Sequence, residues 1–192
     1  MERSMKMAAA ASSGLLVGML AAGALAAEVG GVKLEDKVSL GAQELVLNGA
    51  GVRTKVVFKV YVASLYVPQK ATDLAGVLSK SPRRIQLNLL RTLAADQLVD
   101  ALNEGLADNN SAAGLAAVKP QVDQLATIMK SFKDVKEKDI VTLDFVDGAT
   151  RIGLNGEAKG SIGGDAFNQA LSKIWLGDKP VQADLKKALL GA

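Results

Sequence analysis

Arg53 closes the run Gly49-Ala50-Gly51-Val52-Arg53, and the two tyrosines of the chain, Tyr61 and Tyr66, lie on the apolar stretch that follows. An arginine offers a planar fork of N–H donors that fits a carboxylate or an enolate oxygen. A phenol adds one more donor, and the pair together can hold negative charge on a ligand or on a reacting oxygen. The glycines allow close approach of backbone or ligand. The plainer alternative for Arg53 is a strand-end arginine in solvent, or one neutralised by a structural carboxylate. Gly49-Ala50-Gly51 is not a phosphate loop, because the helix that such a loop opens does not follow it. Lys59 shares a side of an extended strand with Tyr61 and either joins it or reaches out to solvent. Arg91, Asn88 and Asn103 are further polar candidates for a pocket wall. Trp175, beside Ile174, either walls a pocket or fills the core. Asp144, Asp147 and Arg151 surround a hairpin signal, where a salt-bridged turn is the ordinary explanation.

Other chemistries are excluded by composition. The chain has neither histidine nor cysteine, which removes Cys/His metal sites, His-dependent nucleophiles, disulfides and thiol redox chemistry. No carboxylates have the spacing of an all-oxygen metal site, so neither a metal nor a cofactor is expected. The acidic residues make no paired-carboxylate site for acid–base work. With 192 residues, 49% hydrophobic and 22% charged, at a mean hydropathy of +0.20, the chain can bury one core. The formal net charge of +3 gives no basis for nucleic-acid binding.

The elements that must position these residues follow from periodicity. Residues 44–53 read as a strand ending in a glycine-rich turn or bulge. Residues 56–67, Val-Val-Phe-Lys-Val-Tyr-Val-Ala-Ser-Leu-Tyr-Val, form a strand with no clean polar side, so both faces are covered and the strand is interior. A short helix over 72–78, capped by Thr72, is followed by a strand over 84–91. Helices are expected over 94–106, with a cap near Thr92, and over 116–132, where Pro120 would fall in the first turn. Alternation returns at 139–145, 150–154 and 157–160, separated by Asp147-Gly148 and Asn155-Gly156, both hairpin signals. A helix over 165–175 ends at Gly177, and a last short helix covers 182–190. Strands grouped rather than alternating with helices mean an α+β domain, with an antiparallel β-sheet and helices packed on one face.

The amino terminus differs from the rest. Arg3 and Lys6 precede Met7–Ala27, which carries no charge and ends in small residues. This is the form of a bacterial secretory signal peptide, residues 1–26, cut before Ala27. An uncleaved membrane anchor is the alternative, since the stretch is long enough to span a bilayer. Cleavage leaves a single domain over 27–192, periplasmic or secreted, with no stable membrane insertion. It also removes Glu2, Arg3 and Lys6, lowering the formal charge by one.

The blocks Gly49–Arg53, Phe58–Tyr66 and Phe167–Pro180, with the closing Leu185–Gly191, resemble the chalcone isomerase-like family, in the form of its bacterial secreted members. The resemblance implies an open-faced sandwich of sheet and helices with an apolar cleft between them. The family contains true isomerases, which close a phenol onto an enone, and non-catalytic members that bind fatty acids or assist partner enzymes. It implies that the arginine after the glycines, here Arg53, ligates the anionic oxygen. Where true isomerases carry a threonine, this chain has Tyr61. In pairing an arginine with a tyrosine it is similar to the fatty-acid-binding members. The isomerase's tyrosine and asparagine on a following helix have no clear counterpart, and Asn103 is the nearest candidate. Ile174–Trp175 occupies the specificity position, where Trp175 would narrow a planar polyphenol site.

Three functions follow as expectations. The first is an exported binding protein for a small amphipathic acid, fatty or aromatic. Its carboxylate would meet Arg53 and Tyr61, and its tail would lie against Phe58, Val60, Leu89 and Trp175. The second is an isomerase or intramolecular lyase in which the substrate supplies its own phenolate and Arg53 and Tyr61 hold the developing charge. The third is a scaffold whose cleft is filled by side chains such as Trp175, with Arg53 neutralised by a protein carboxylate. None of the three specifies a protein partner.

Overall fold

A computed structural model describes residues 27–192; the expected signal peptide lies outside the described residues. In chain order the strands are β1 (Ala27–Val29), β2 (Val32–Leu34), β3 (Lys37–Leu40), β4 (Gln43–Lys55), β5 (Phe58–Val67), β6 (Arg83–Leu89), β7 (Leu93–Ala94), β8 (Asp134–Val135), β9 (Ile140–Val146), β10 (Ala149–Leu154) and β11 (Glu157–Gly163). The helices are α1 (Leu74–Leu78), α2 (Ala95–Asn109), α3 (Ala112–Ser131), α4 (Asp165–Leu176) and α5 (Ala183–Leu189).

Seven strands form one sheet in the order β11-β10-β9-β6-β5-β4-β3, every neighbouring pair antiparallel. The helices cover one face, which is the α+β open-faced sandwich expected. The main core lies between them, where Leu65, Leu87 and Phe145 of the sheet meet Leu106, Leu125 and Leu171 of the helices. The opposite face of β5 is also closed: Val62, Ser64 and Tyr66 are fully buried. The β1–β2 hairpin lies over part of that face, with Gly30 against Val52 and Val62. The Tyr66 hydroxyl donates to the Glu35 carbonyl at 3.1 Å. A two-sided apolar strand is the direct result.

Local chemistry accounts for the boundaries. Asp147-Gly148 and Asn155-Gly156 take positive φ at both residues (52° and 72°, 53° and 83°), the geometry that matches the twist of the β9–β10 and β10–β11 hairpins. The cap of α1 is Asp73, whose carboxylate accepts from Gly76 N at 2.6 Å, rather than Thr72. Ser111 caps α3 by accepting from Gly114 N at 3.1 Å, so this helix starts earlier than expected and Pro120 lies in its interior. The cap position of α2 is Ala94, not Thr92, and Gln97 returns to accept from the Ala94 N–H at 3.1 Å.

Gly49 and Gly51 lie within β4, which runs on to Lys55. The turn expected there is instead at Val56-Val57. A bulge does precede the glycines: Leu47 pairs with Tyr66 and Gly49 with Leu65, leaving Asn48 without a partner on β5. The side-chain amide of Asn48 donates to the carbonyls of Ala71 (2.9 Å) and Leu189 (2.7 Å) and accepts from Ala71 N (2.8 Å). Both glycines face α5. A Cβ at Gly49 would strike the carbonyl oxygen of Ala188, and one at Gly51 would come within 2.9 Å of Ala188 Cβ. The glycines are the seat of a helix, needed for close approach rather than for a turn.

Candidate functional site

On β4 the alternation that points Gly49 and Gly51 at α5 points Arg53 the same way, toward the start of that helix. Gln182, at the amino-terminal cap of α5, clamps the strand there. Its side-chain carbonyl accepts from Thr54 N at 2.9 Å and from Arg53 Nη1 at 3.4 Å, and its amide nitrogen donates to Val52 O at 3.3 Å. Arg53 Nη1 also donates to its neighbour's carbonyl, Thr54 O, at 2.6 Å. Neutral acceptors therefore fix the guanidinium. Among the described residues Arg53 makes no ion pair.

Tyr61 is the partner of Arg53 across the β4–β5 ladder. Trp175 Nε1 donates to its hydroxyl oxygen at 3.1 Å, and the phenol's own proton remains available for another acceptor. Burial raises the Tyr61 pKa above its ordinary value of 10.0, against opposing effects from Trp175 and from the charge on Arg53. At neutral pH the group is a neutral donor beside a permanent cation.

Arg53 and Tyr61 open into a cleft of about 480 Å³ between the end of the β4–β5 hairpin, helix α2 and the 179–181 segment. Its charged lining is Arg53, Lys55, Arg91 and Lys179 against Glu104 and Asp108, a cationic balance. Behind it lies a smaller cavity of about 100 Å³ with an apolar wall including Leu87, Leu98, Leu125, Met129, Ile174 and Trp175. Tyr61, Ala101 and Val181 border both cavities and mark their junction. A polar, positively charged mouth leading to an apolar interior suits a molecule with an anionic head and a hydrocarbon part.

The expected residues fall unevenly about this site. Arg53, Tyr61, Phe58, Val60 and Arg91 line the outer cleft, and Ile174 and Trp175 line the inner cavity, Trp175 as a wall. Lys59 does not share a side with Tyr61. Arg53 pairs with Tyr61 but Thr54 pairs with Lys59, so Val60 has no partner on β4 and the alternation shifts by one residue. Phe58 and Val60 take the cleft side and Lys59 is exposed. Asn103 is exposed on α2, whose cleft side carries Gln97, Ala101, Glu104 and Asp108 at helical spacing. Asn88 accepts from Gln86 Nε2 at 3.0 Å and lines neither cavity. Leu89 is buried away from both, and Leu87 takes the place expected of it. Asp144 binds Arg84, while Asp147 and Arg151 form an exposed pair at 3.7 Å across the hairpin turn, as expected of a salt-bridged turn. Gln182, Gln97 and Val181 join the site without having been singled out. Their signal is tertiary, since Gln182 lies 129 residues from Arg53.

Residues 26–191 match the family described as chalcone isomerase-like. No curated protein sequence matches the chain. Among solved structures, it is similar to a fatty-acid-binding protein of Arabidopsis thaliana. That likeness has 14% identity and a TM-score of 0.66, over 83% of this chain and 92% of that one. Identity this low speaks for the fold alone, and the fold agrees with the family match over the same stretch: the chain belongs to the chalcone isomerase-like family.

Proposed function

We propose that the protein binds a small amphipathic acid, fatty or aromatic, whose carboxylate is held by Arg53 and the Tyr61 hydroxyl while its apolar part enters the cavity walled by Leu87, Leu98 and Trp175. The observation that carries this reading is the position of an unneutralised arginine and a neutral phenol, paired across two strands, where a cationic cleft meets an apolar cavity. A ligand carboxylate gives the guanidinium the charge partner it otherwise lacks, so the ion pair serves binding rather than folding. The likeness to a fatty-acid-binding protein supports the same reading. An isomerase would use Arg53 and Tyr61 on an enolate, but the cleft side of α2 brings no phenol or asparagine to assist it. The unfilled cleft and the lack of a carboxylate on Arg53 weigh against a scaffold. We place the protein outside the cytoplasm, in the periplasm or secreted, on the pattern of residues 1–27; a mature mass beginning at Ala27 is the expected result of expression with export.

Native mass spectrometry of wild type beside Arg53→Ala tests the binding reading. A fatty or aromatic acid should co-purify with the wild type and be lost from the variant, and added fatty acid should bind the variant at least tenfold more weakly. Equal retention by both proteins, or no binding of any tested acid by the wild type, would overturn it.

A further inference from the structure

The sheet contains several tight hairpin turns, and one of them is unlike the rest. At β9–β10 and β10–β11 the turn residues are Asp-Gly and Asn-Gly, which accept positive φ readily. At β4–β5 they are Val56 and Val57, and Val56 holds φ 58°, a conformation that β-branched side chains adopt only at a cost. The valines do not serve the turn. They do not serve the core either: Val56 is 89% exposed, Val57 78% and the adjoining Phe58 57%, and these are the large hydrophobic residues exposed among the described residues. Three consecutive apolar side chains at one convex tip need another explanation.

The surroundings of the tip are cationic. Between Glu44 and Asp73 the sequence has no carboxylate, yet it carries Arg53, Lys55, Lys59 and Lys70, the first three within five residues of the turn. Arg91, two residues beyond the end of the neighbouring strand β6, lies over the Phe58 ring with 4.9 Å to the ring centroid. None of Lys55, Lys59 and Arg91 makes an ion pair among the described residues. An apolar point ringed by unneutralised lysine and arginine fits a negatively charged interface with an apolar layer beneath it. A protein partner would need a far larger surface, roughly 800 Å² on each side, than a two-residue turn presents.

We propose that the tip of the β4–β5 hairpin docks the protein on the surface of an anionic lipid bilayer, Val56, Val57 and Phe58 entering the headgroup layer while Lys55, Lys59 and Arg91 meet the lipid charges. The contact is peripheral; no helix among the described residues is long and apolar enough to cross a membrane. Val56 and Phe58 also line the outer cleft. Docking therefore turns the mouth of the cleft onto the lipid, where an amphipathic acid resides. That last consequence rests on the ligand-binding reading, whereas the docking itself does not.

The absence of cysteine makes the test site-specific. Val57→Cys, labelled with an environment-sensitive fluorophore, is mixed with vesicles of phosphatidylglycerol and phosphatidylcholine that carry a quencher on the acyl chains. Ala42→Cys, labelled in the same way, is the reference. It is exposed in the turn before β4, and the thirteen residues of that strand set it roughly 40 Å from the tip. Quenching at position 57 should exceed that at position 42 several-fold and should disappear on pure phosphatidylcholine. Lys59→Glu, at a side chain that lines neither cavity, should weaken the vesicle affinity several-fold without altering fatty-acid binding. Attachment through the apolar residues 7–27 alone would leave positions 42 and 57 equally quenched, which overturns the proposal. So does an unquenched tip on anionic vesicles, which would leave a protein as the occupant of the tip.

Discussion

Each tyrosine of this protein faces an arginine across a strand pair, and the two pairs have opposite fates. Tyr66 is opposite Arg84, and Arg84 is in turn opposite Asp144. There the guanidinium meets the carboxylate with two bonds, Nε to Oδ1 at 2.6 Å and Nη2 to Oδ2 at 2.8 Å, and Tyr66 is completely buried. Tyr61 is opposite Arg53 on the helix side of the sheet, where a cleft begins and where, among the described residues, no carboxylate pairs with Arg53. The same residue types in the same cross-strand relation make a structural lock at one place and an open site at the other. What separates them is one carboxylate, which Asp144 supplies to Arg84 and which, on the proposed function, a ligand supplies to Arg53.

The largest effect should come from opening the lock. Arg84→Ala strands Asp144, which is 8% exposed, without its cation, and a buried carboxylate so abandoned costs about 3 kcal/mol of stability. Denaturant unfolding should show that loss while fatty-acid affinity, measured on the folded protein, stays within a factor of two. Arg53→Ala should do the reverse, weakening the ligand with a stability change below about 1 kcal/mol. If both variants lost stability equally and Arg53→Ala kept its ligand, the two sites would not differ in kind.

The converse experiment closes the open site. Gln182→Glu keeps the acceptor oxygen now bonded to Thr54 N and facing Arg53 Nη1, and it gives up only the amide bond to Val52 O. The new carboxylate should pair with Arg53 as Asp144 pairs with Arg84. Fatty-acid affinity should fall about tenfold, because the ligand then competes with an internal anion and adds a like charge to the cleft. Titration calorimetry across the two proteins reads this directly. Unaltered affinity would mean that the ligand head does not reach Arg53.

Much of this arrangement was readable before the fold. Alternation located the strands, Asp147-Gly148 and Asn155-Gly156 located two hairpins, and Arg53 and Tyr61 stood out because the composition left few other groups able to hold an anion. What escaped depended on neighbours distant in the chain. The spacing of Gly49 and Gly51 was plain, but their purpose lies in Ala188 of α5, so a helix seat reads as a turn from sequence alone. Strict alternation puts Lys59 on the wrong side because one bulged residue, Val60, shifts the period-two rule, and no local signal marks that bulge. Gln182 resembles any polar residue before a short helix until the strand it clamps is known. The β1–β2 hairpin and Tyr66 show the other side of the matter: a strand apolar on both faces announces two covers, without saying that one of them is the hairpin of residues 27–34.

The smallest effect separates the two phenols by pH. Burial raises the pKa of both Tyr61 and Tyr66 above 10.0. For each, the folded value exceeds the unfolded one, so its contribution to stability is complete below pH 10 and is lost as pH rises through the folded pKa. In that window the unfolded state has already released the proton that the folded state still binds. Each phenol steepens the fall by at most about 1.4 kcal/mol per pH unit. Lysines titrate in the same range, so the informative quantity is a difference: between pH 10 and 11, Tyr61→Phe should lose stability less steeply than wild type. The ultraviolet signal of phenolate should rise above the ordinary pH of tyrosine in the wild type, and about half of its amplitude should be missing in the variant, what remains being that of Tyr66. A wild-type rise at the ordinary pH of tyrosine would mean that Tyr61 stands in open water rather than buried where the two cavities meet.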